Sequence, residues 1–343
     1  MLYYPAALAA LPERTLMKKL LLGAIAALTC AACVLGLASC GSGPADSASS
    51  AAPAADDPVV VGTLATEDIL PFWAAEADGA LDGRLQVQVF QSATELIAAI
   101  TAGEVDLAMT DPMVAASIYA SGTDLQVEWV TLGTTADQGR FGIMTADGTT
   151  YASLKDLAGV PIGVGSNTIL EYVMDNLMLE AGVPEDQIVT EELQKLPVRF
   201  ETMASGKVAA AALPASLLAL GQAKGCTVIA DDTTGKNLSQ SIMVARADFV
   251  NAEGGDQLIS DCKAAWDQAV ERINADPESF RSLLVEKASL SDDVAKTYPI
   301  STYPTCQLPT QEQVDDVLAW MKHKGYLAEG VTYRATDGTF AGR

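Results

Sequence analysis

Short polar clusters follow several of the predicted strands, and their hydroxyl, carboxylate and amide groups are suited to hydrogen-bonding a small molecule. In sheets covered by helices, ligands bind beyond the carboxyl ends of the strands. This rule selects the candidate ligand contacts Thr66, Glu67, Asp68, Ser92, Thr110, Asp111, Ser166, Asn167, Thr168 and Leu213. The predicted chemistry is therefore reversible binding through hydrogen bonds.

The charge of the ligand stays open at this point. The carboxylates of Glu67, Asp68 and Asp111 would accept hydrogen bonds from an amine or an aminopyrimidine, and they would repel sulfonate or nitrate. The run from Ser166 to Thr168 lies at a predicted helix start, where exposed backbone N–H groups attract anions. The same residue types are also favoured N-caps whatever is bound. We therefore predict a small polar organic ligand, of either kind.

Two larger side chains are further candidates for ligand contact. Trp73 is suited to stacking on a ring, although its helical spacing from Phe72 and Ala77 favours a place in the core. Arg140 is the cation near a predicted strand that crosses between halves, and it would bind a ligand anion or pair with Asp137. The ion pair is the favoured interpretation.

Catalytic chemistry has little support. The only histidine, His323, lies between two lysines near the end of a predicted helix, which indicates a surface position and argues against a Ser–His–Asp triad or a histidine-based metal site. Glu67 and Asp68 are adjacent, so on a strand they would point to opposite faces rather than act together as acid and base. No P-loop pattern is present. We expect a binding protein without a cofactor or metal.

Apolar strands alternate with helical stretches, a pattern that predicts α/β sheets covered by helices. The first series has strands at 59–63, 85–90 and 107–110, helices at 71–78, 94–102 and 112–119, and strands at 127–133 and 141–144 that continue the same sheet. The second has strands at 160–164, 188–194, 208–213 and 227–230, helices at 168–181, 197–205 and 214–224, and a following strand at 241–245. Helices are then predicted at 256–274, 277–287 and 310–324. Residues 102–112 and 205–214 use the same helix, glycine, strand and proline order, which indicates one unit used twice.

An ordered set of residues carries a family resemblance. It comprises Pro71, Trp73, Ala75 and Gly79, then Gly103, Glu104, Val105, Asp106 and Asp111, and then Leu154, Asp156, Leu157, Gly159, Val160 and Gly163. In this order the chain resembles the substrate-binding proteins of ABC importers, in the branch that includes aliphatic-sulfonate, nitrate and thiamine-pyrimidine binders. The resemblance covers nearly all of residues 59–327.

The resemblance implies an α/β clamshell of the periplasmic-binding-protein type II, with two lobes of mostly parallel sheet joined by two hinge crossovers. Lobe 1 would span 58–145 plus 241–327, lobe 2 would span 146–240, and 328–343 would be a C-terminal tail. It also implies a monomer that delivers its small-molecule ligand to an ABC permease and ATPase. The alternatives are a ligand-sensing lipoprotein without transport and, less favoured, a pyrimidine-metabolism enzyme of the same fold.

The N-terminus indicates export. Lys18 and Lys19 precede an apolar run that ends in small residues before Cys40, the order of a lipoprotein signal peptide. We expect the signal at 1–39, a lipid on Cys40 and a flexible tether at 40–57, with the protein anchored on the outer face of the cytoplasmic membrane. A transmembrane anchor is the less favoured alternative. Translation starting at Met17 would fit the signal better than Met1.

The net charge limits the possible binding partners, and the cysteine count limits the possible disulfides. The formal charge of −23 argues against nucleic acid, which needs a basic surface. Cys226, Cys262 and Cys306 would lie in the folded part, where either one disulfide with one leftover thiol or three free thiols would satisfy the sequence.

Overall fold

A computed structural model describes residues 57–233, 238, 240–288 and 290–343. The predicted signal peptide, Cys40 and all but the last residue of the predicted tether lie outside the described residues. Within the described ranges, no helix combines the length and apolar character needed to cross a bilayer.

The described residues form twelve strands and eleven α-helices. The strands are β1 (Val59–Leu64), β2 (Leu85–Phe90), β3 (Leu107–Thr110), β4 (Leu125–Leu132), β5 (Phe141–Thr145), β6 (Pro161–Val164), β7 (Val189–Glu192), β8 (Ala210–Pro214), β9 (Thr227–Asp231), β10 (Ser241–Arg246), β11 (Thr332–Arg334) and β12 (Thr339–Ala341). The helices are α1 (Leu70–Ala77), α2 (Ala93–Ala102), α3 (Pro112–Ala120), α4 (Ile169–Glu180), α5 (Leu196–Ala204), α6 (Ala215–Ala223), α7 (Ala247–Val250), α8 (Gly255–Ala275), α9 (Arg281–Lys287), α10 (Asp292–Ala295) and α11 (Gln311–His323). Short 3-10 turns include Glu67–Ile69, directly after β1.

The sheet of lobe 1 has seven strands in the order β11-β12-β4-β10-β3-β1-β2. β1 runs parallel to β2 and β3, whereas β10 returns antiparallel to β3 and β4. One face is covered by an aromatic cluster in which the Phe72 ring meets Trp129 and Trp266 edge-on, with centroids 5.7 and 5.3 Å away. Burial of these large side chains fixes α1 and α8 on the sheet, because apolar area removed from water is the main stabilising contribution.

The sheet of lobe 2 has five strands in the order β7-β6-β8-β5-β9. β6 runs parallel to β7 and β8, and β5 runs antiparallel to β8 and β9. Two mixed sheets covered by helices confirm the predicted two-lobe α/β fold. They are mixed rather than mostly parallel because β5 and β10, the strands that follow the crossings, run against their neighbours.

The prediction that residues 141–144 continue the first sheet is wrong. β5 pairs with β8, Phe141 opposite Pro214, so the chain has already passed into lobe 2 within 133–140. The lobe boundary therefore falls before Phe141 and not after Thr145. An apolar run shows that a strand is buried but carries no information on which strand it pairs with.

The predicted C-terminal tail is also wrong as a separate segment. Residues 332–341 form the hairpin β11–β12, and β12 adds to lobe 1 with Thr339 opposite Gln126. The turn ends in Asp337–Gly338, and Gly338 has a φ of 72°, a conformation that glycine adopts without strain. An Asp–Gly pair between short apolar segments is a hairpin signal that was present in the sequence.

Candidate functional site

A cavity of about 70 Å³ lies between the lobes, and we name it the inner chamber. Lobe 1 contributes Leu64, Thr66, Asp68, Ala93, Leu96, Met109, Thr110, Asp111 and Ser241, and lobe 2 contributes Phe141, Thr168, Ile169, Leu170, Gln194, Leu196, Arg199 and Pro214. The structure thus brings five of the predicted contacts, Thr66, Asp68, Thr110, Asp111 and Thr168, into one cavity at the carboxyl ends of strands.

Asp68 is the carboxylate of the lobe 1 wall. It lies in the 3-10 turn after β1 and is buried, and its Oδ2 accepts a hydrogen bond from the Ser241 hydroxyl at the start of β10. Its Oδ1 is buried and has no hydrogen-bond partner among the described residues. Burial raises the pKa of this carboxyl group, because a charge removed from water is destabilised. The wall therefore presents an acceptor whose partner is missing.

Glu67 does not line the inner chamber. It is buried beside Tyr298 and Tyr303, and the Tyr303 hydroxyl donates to the Glu67 backbone carbonyl at 2.8 Å. Burial, and then the neighbouring charge of Asp68, raise the pKa of Glu67 to about 7. The two adjacent carboxylates therefore have different surroundings, and only Asp68 reaches the cavity.

Asp111 links the lobes. Its Oδ1 accepts from Val114 N at 2.8 Å and caps α3, while its Oδ2 accepts from Ile169 N at 3.0 Å, in the first turn of α4 in lobe 2. Burial raises the pKa of Asp111 to about 6. The start of α4, predicted from the sequence as an anion site, thus already holds a carboxylate of the protein itself.

The three residues before α4 have separate roles. The Ser166 hydroxyl bonds Glu192 at the end of β7. Asn167 has a left-handed backbone with φ of 58°, which asparagine tolerates better than most residues, and its Nδ2 donates to Ser117 Oγ of lobe 1 at 2.7 Å. Thr168 alone lines the inner chamber, and its hydroxyl donates to the Gly165 carbonyl at 2.7 Å.

Arg199 is the main residue that the sequence reasoning missed. It lies on α5, is 2% exposed, and donates to the carbonyls of Leu193 at 2.8 Å, Ala212 at 3.0 Å and Gln194 at 3.4 Å. Burial lowers its pKa to about 10, so the guanidinium is still charged at neutral pH. A signal was present: Arg199 follows Leu196 by three residues and precedes Met203 by four, which places it on the apolar face of the helix.

The other predicted contacts lie elsewhere. Ser92 caps α2 by accepting from Glu95 N at 3.2 Å, while Trp73 is 1% exposed in the core of lobe 1 and Leu213 is fully buried in the core of lobe 2. Arg140 pairs with Asp231 at 2.8 Å, so the favoured pairing with Asp137 is wrong. The reason is register: β5 pairs with β9, and this places Asp231 opposite Gly142.

A second set of contacts joins the lobes through α4 and the end of α11. Lys324 Nζ lies 3.2 Å from Glu171 and 3.0 Å from Asp175, two buried carboxylates of α4. The Trp320 indole N–H donates to Asp175 at 2.9 Å, and the Tyr326 hydroxyl donates to Glu171 at 3.0 Å. These charge-assisted bonds link the two lobes at this edge of the cleft.

The three cysteines of the described residues, Cys226, Cys262 and Cys306, are all free. Burial raises the pKa of Cys262 to about 12 and raises that of Cys306 further. Neither thiol lines the inner chamber. Of the two sequence-based alternatives, the structure therefore has the one with three unpaired thiols.

Comparison with known proteins shows that this chain has the fold of periplasmic binding proteins. The family profile described as NMT1/THI5 like matches residues 82–279, more than half of the chain, so the protein belongs to the NMT1/THI5-like family. This confirms the predicted family relationship. A search of curated protein sequences found no significant match.

Solved structures share the fold at low sequence identity. The alkanesulfonate-binding protein SsuA from Xanthomonas axonopodis pv. citri, bound to MOPS, is 17% identical over 81% of this chain and 96% of its own, with a TM-score of 0.68. The periplasmic aliphatic sulphonate binding protein SsuA from Escherichia coli is 15% identical over 79% and 88%, with a TM-score of 0.63. The desulfurization enzyme DSZB is 14% identical over 79% and 93%, with a TM-score of 0.60. The same fold thus serves binding proteins and an enzyme.

Proposed function

We propose that this protein is an exported binding protein that captures a small polar organic molecule between its lobes and delivers it to the permease and ATPase of an ABC importer. Family membership and the two-lobe fold support this role. So does the inner chamber, because both lobes supply its walls and closure would enclose a ligand completely. A monomer suffices, since both walls come from one chain.

The buried Oδ1 of Asp68 is the observation that carries the proposal. A buried acceptor without a partner costs about 1 to 3 kcal/mol, and such groups in native proteins call for an explanation. A ligand that donates a hydrogen bond to Asp68 would remove this cost on binding. Unlike Trp73 and Trp129, whose indole N–H groups lack partners among the described residues of the lobe 1 core, Asp68 belongs to the lining of a cavity between the lobes.

The ligand chemistry follows from the same wall. Asp68 and Asp111 are both carboxylates, and Asp111 already occupies the start of α4. Arg199 is the only basic residue among the described lining residues, and it donates hydrogen bonds to three backbone carbonyls. We therefore propose a ligand with hydrogen-bond donors, such as an amine or an aminopyrimidine, in preference to sulfonate or nitrate.

A thermal-shift experiment tests this proposal. The purified protein is heated with amines, aminopyrimidines, alkanesulfonates and nitrate; a ligand at a hundred times its dissociation constant adds about 2.7 kcal/mol to the free energy of unfolding. The dissociation constant of a donor compound, obtained from its thermal shifts, should rise by about tenfold or more in Asp68→Asn. It should be unchanged in the control Asp82→Asn, at an exposed position. Stabilisation by sulfonates alone, or donor binding unchanged in Asp68→Asn, would contradict the proposed ligand.

We assign no catalytic step to this cleft, although DSZB has the same fold. The inner chamber contains no cysteine or histidine among its described lining residues. Glu67, the adjacent carboxylate that would complete an acid–base pair with Asp68, lies outside that lining. A binding role therefore accounts for the site with fewer assumptions.

We also propose that a lipid on Cys40 tethers the protein outside the cytoplasmic membrane. The support is the order of basic, apolar and small residues before Cys40. Fractionation of cells expressing Cys40→Ser should find the protein released from the membrane, while Cys33→Ser, within the signal, should leave it bound. Membrane retention of Cys40→Ser would argue against lipidation.

A further inference from the structure

A second cavity adjoins the inner chamber, and we name it the outer chamber. Its volume is about 210 Å³, room for several water-sized groups. It is lined by Pro112, Ile169, Tyr172, Leu238, Gln240, Glu312, Gln313, Asp316 and Val317. Ile169 borders both chambers, and the hydrogen bond from Ile169 N to Asp111 lies at this border. The interlobe space is therefore divided in two at the start of α4.

Gln240 is the unusual residue of the outer chamber. It is 5% exposed, and neither its amide nitrogen nor its amide oxygen has a hydrogen-bond partner among the described residues. The next residue, Ser241, lines the inner chamber and bonds Asp68. Successive residues of an extended chain point to opposite sides, so the second crossing presents one polar side chain to each chamber.

A buried primary amide with two unmet groups is costly unless something binds it. Each unmet group is destabilising, and an apolar side chain of similar size would avoid that cost. The remaining walls are largely apolar, with Pro112, Ile169, Tyr172 and Val317 suited to covering the body of a small molecule. Gln240 therefore places an uncharged polar side chain with two unmet groups beside the apolar residues of this chamber.

The chemistry of an amide selects its complement. It offers a donor and an acceptor side by side, and a carboxamide or lactam edge offers the same pair in reverse order, which allows two hydrogen bonds at once. Glu312 and Asp316 are exposed residues at the rim, and the described lining contains no basic side chain. An anionic ligand is therefore disfavoured by charge.

We propose that the outer chamber is a ligand subsite and that Gln240 determines its specificity for an uncharged molecule with a carboxamide or lactam edge. This inference rests on the proposed binding function, since it places ligand between the lobes. It goes beyond that function in naming a second chamber, a recognition residue and a chemical class.

Three related compounds and two matched variants test the subsite. Nicotinamide carries the required edge, N,N-dimethylnicotinamide lacks its donor, and nicotinate replaces it with a charge. Ligand-observed NMR on the full chain should show nicotinamide binding, with both analogues at least tenfold weaker. Gln240→Leu should weaken nicotinamide binding at least tenfold, and Gln222→Leu, at an exposed position on α6, should not change it.

The stability of the variant is measured separately from its ligand binding. Gln240→Leu removes two unmet polar groups, so its melting temperature should equal or exceed that of the wild type; if it does not fold, Gln240→Met is the second variant. Nicotinamide binding that is unchanged in the folded variant overturns the assignment, and so does absence of binding at about 10 mM. Binding of the donor compounds that depend on Asp68 distinguishes failure of the subsite from failure of the proposed function. If they still bind while nicotinamide does not, the subsite is wrong and the proposed function stands. If Asp68-dependent binding also fails, the proposed function is contradicted as well.

Discussion

The two walls of the inner chamber treat charge in opposite ways. In lobe 1, Asp68 has one oxygen on Ser241 and one with no described partner. In lobe 2, Arg199 directs its guanidinium at three backbone carbonyls. A charge whose bonds are met within its own lobe serves the fold, whereas an unmet group facing a cavity is available to a ligand. This difference supports the proposal that lobe 1 recognises the ligand and that Arg199 of lobe 2 has a structural role.

The largest expected effect follows from the structural role of Arg199. Arg199→Met removes the guanidinium that donates hydrogen bonds to three backbone carbonyls of lobe 2. We expect the free energy of unfolding to fall by about 3 to 5 kcal/mol. Chemical denaturation measures this change. Lys207→Met, at an exposed position in the same lobe, should change stability by less than about 0.5 kcal/mol.

A loss of ligand binding without a loss of stability would contradict the structural role given to Arg199. If Arg199→Met kept its stability but lost ligand binding, Arg199 would be a recognition residue and the ligand would carry an anionic group. The two walls would then share recognition, and the sulfonate class would be favoured.

A smaller effect is expected at Glu67, on the lobe 1 side. Burial raises its pKa to about 7, so between about pH 4.5 and 7 the folded protein binds more protons than the unfolded chain, and stability falls as pH rises through this range. Glu67→Gln removes the ionisation. Its melting temperature should therefore exceed that of the wild type at pH 8, by an amount equivalent to about 3 kcal/mol, and the difference should shrink at pH 5. A difference independent of pH would show that Glu67 is not the titrating group.

Local chemistry explains which parts of the fold were predictable. The bounds of β2 and β3 were predicted to the residue, because alternation and glycine stops act over a few positions. Ser92 and Asp111 were predicted as ligand contacts, and the structure shows that they cap α2 and α3, a role that depends only on bonds within their own turn. Strand partners are not local, and for this reason β5 was placed in the wrong sheet and the β11–β12 hairpin was missed.

The site shows the same limit. Thr66, Asp68, Thr110 and Asp111 were predictable because the strand-end rule applies to each strand alone. Arg199 was not predicted, because its bonds reach the carbonyls of separate segments. The sequence also showed an exposed helix start at α4, but only the packed lobes reveal that Asp111 fills it.

The smallest change in stability, with the sharpest consequence for ligand choice, is expected at Asp111. Asn is an equally good cap, so Asp111→Asn should keep the bond from Val114 N that caps α3. Its amide nitrogen cannot accept from Ile169 N, so we expect the free energy of unfolding to fall by about 1 to 3 kcal/mol. The variant nevertheless removes the negative charge from the start of α4, where backbone N–H groups favour an anion. If Asp111 acts as the built-in anion, ethanesulfonate should stabilise Asp111→Asn in a thermal-shift assay and leave the wild type unchanged. Equal stabilisation of both proteins would mean that Asp111 does not exclude anions, and the acidic wall would then no longer separate this chamber from a sulfonate site.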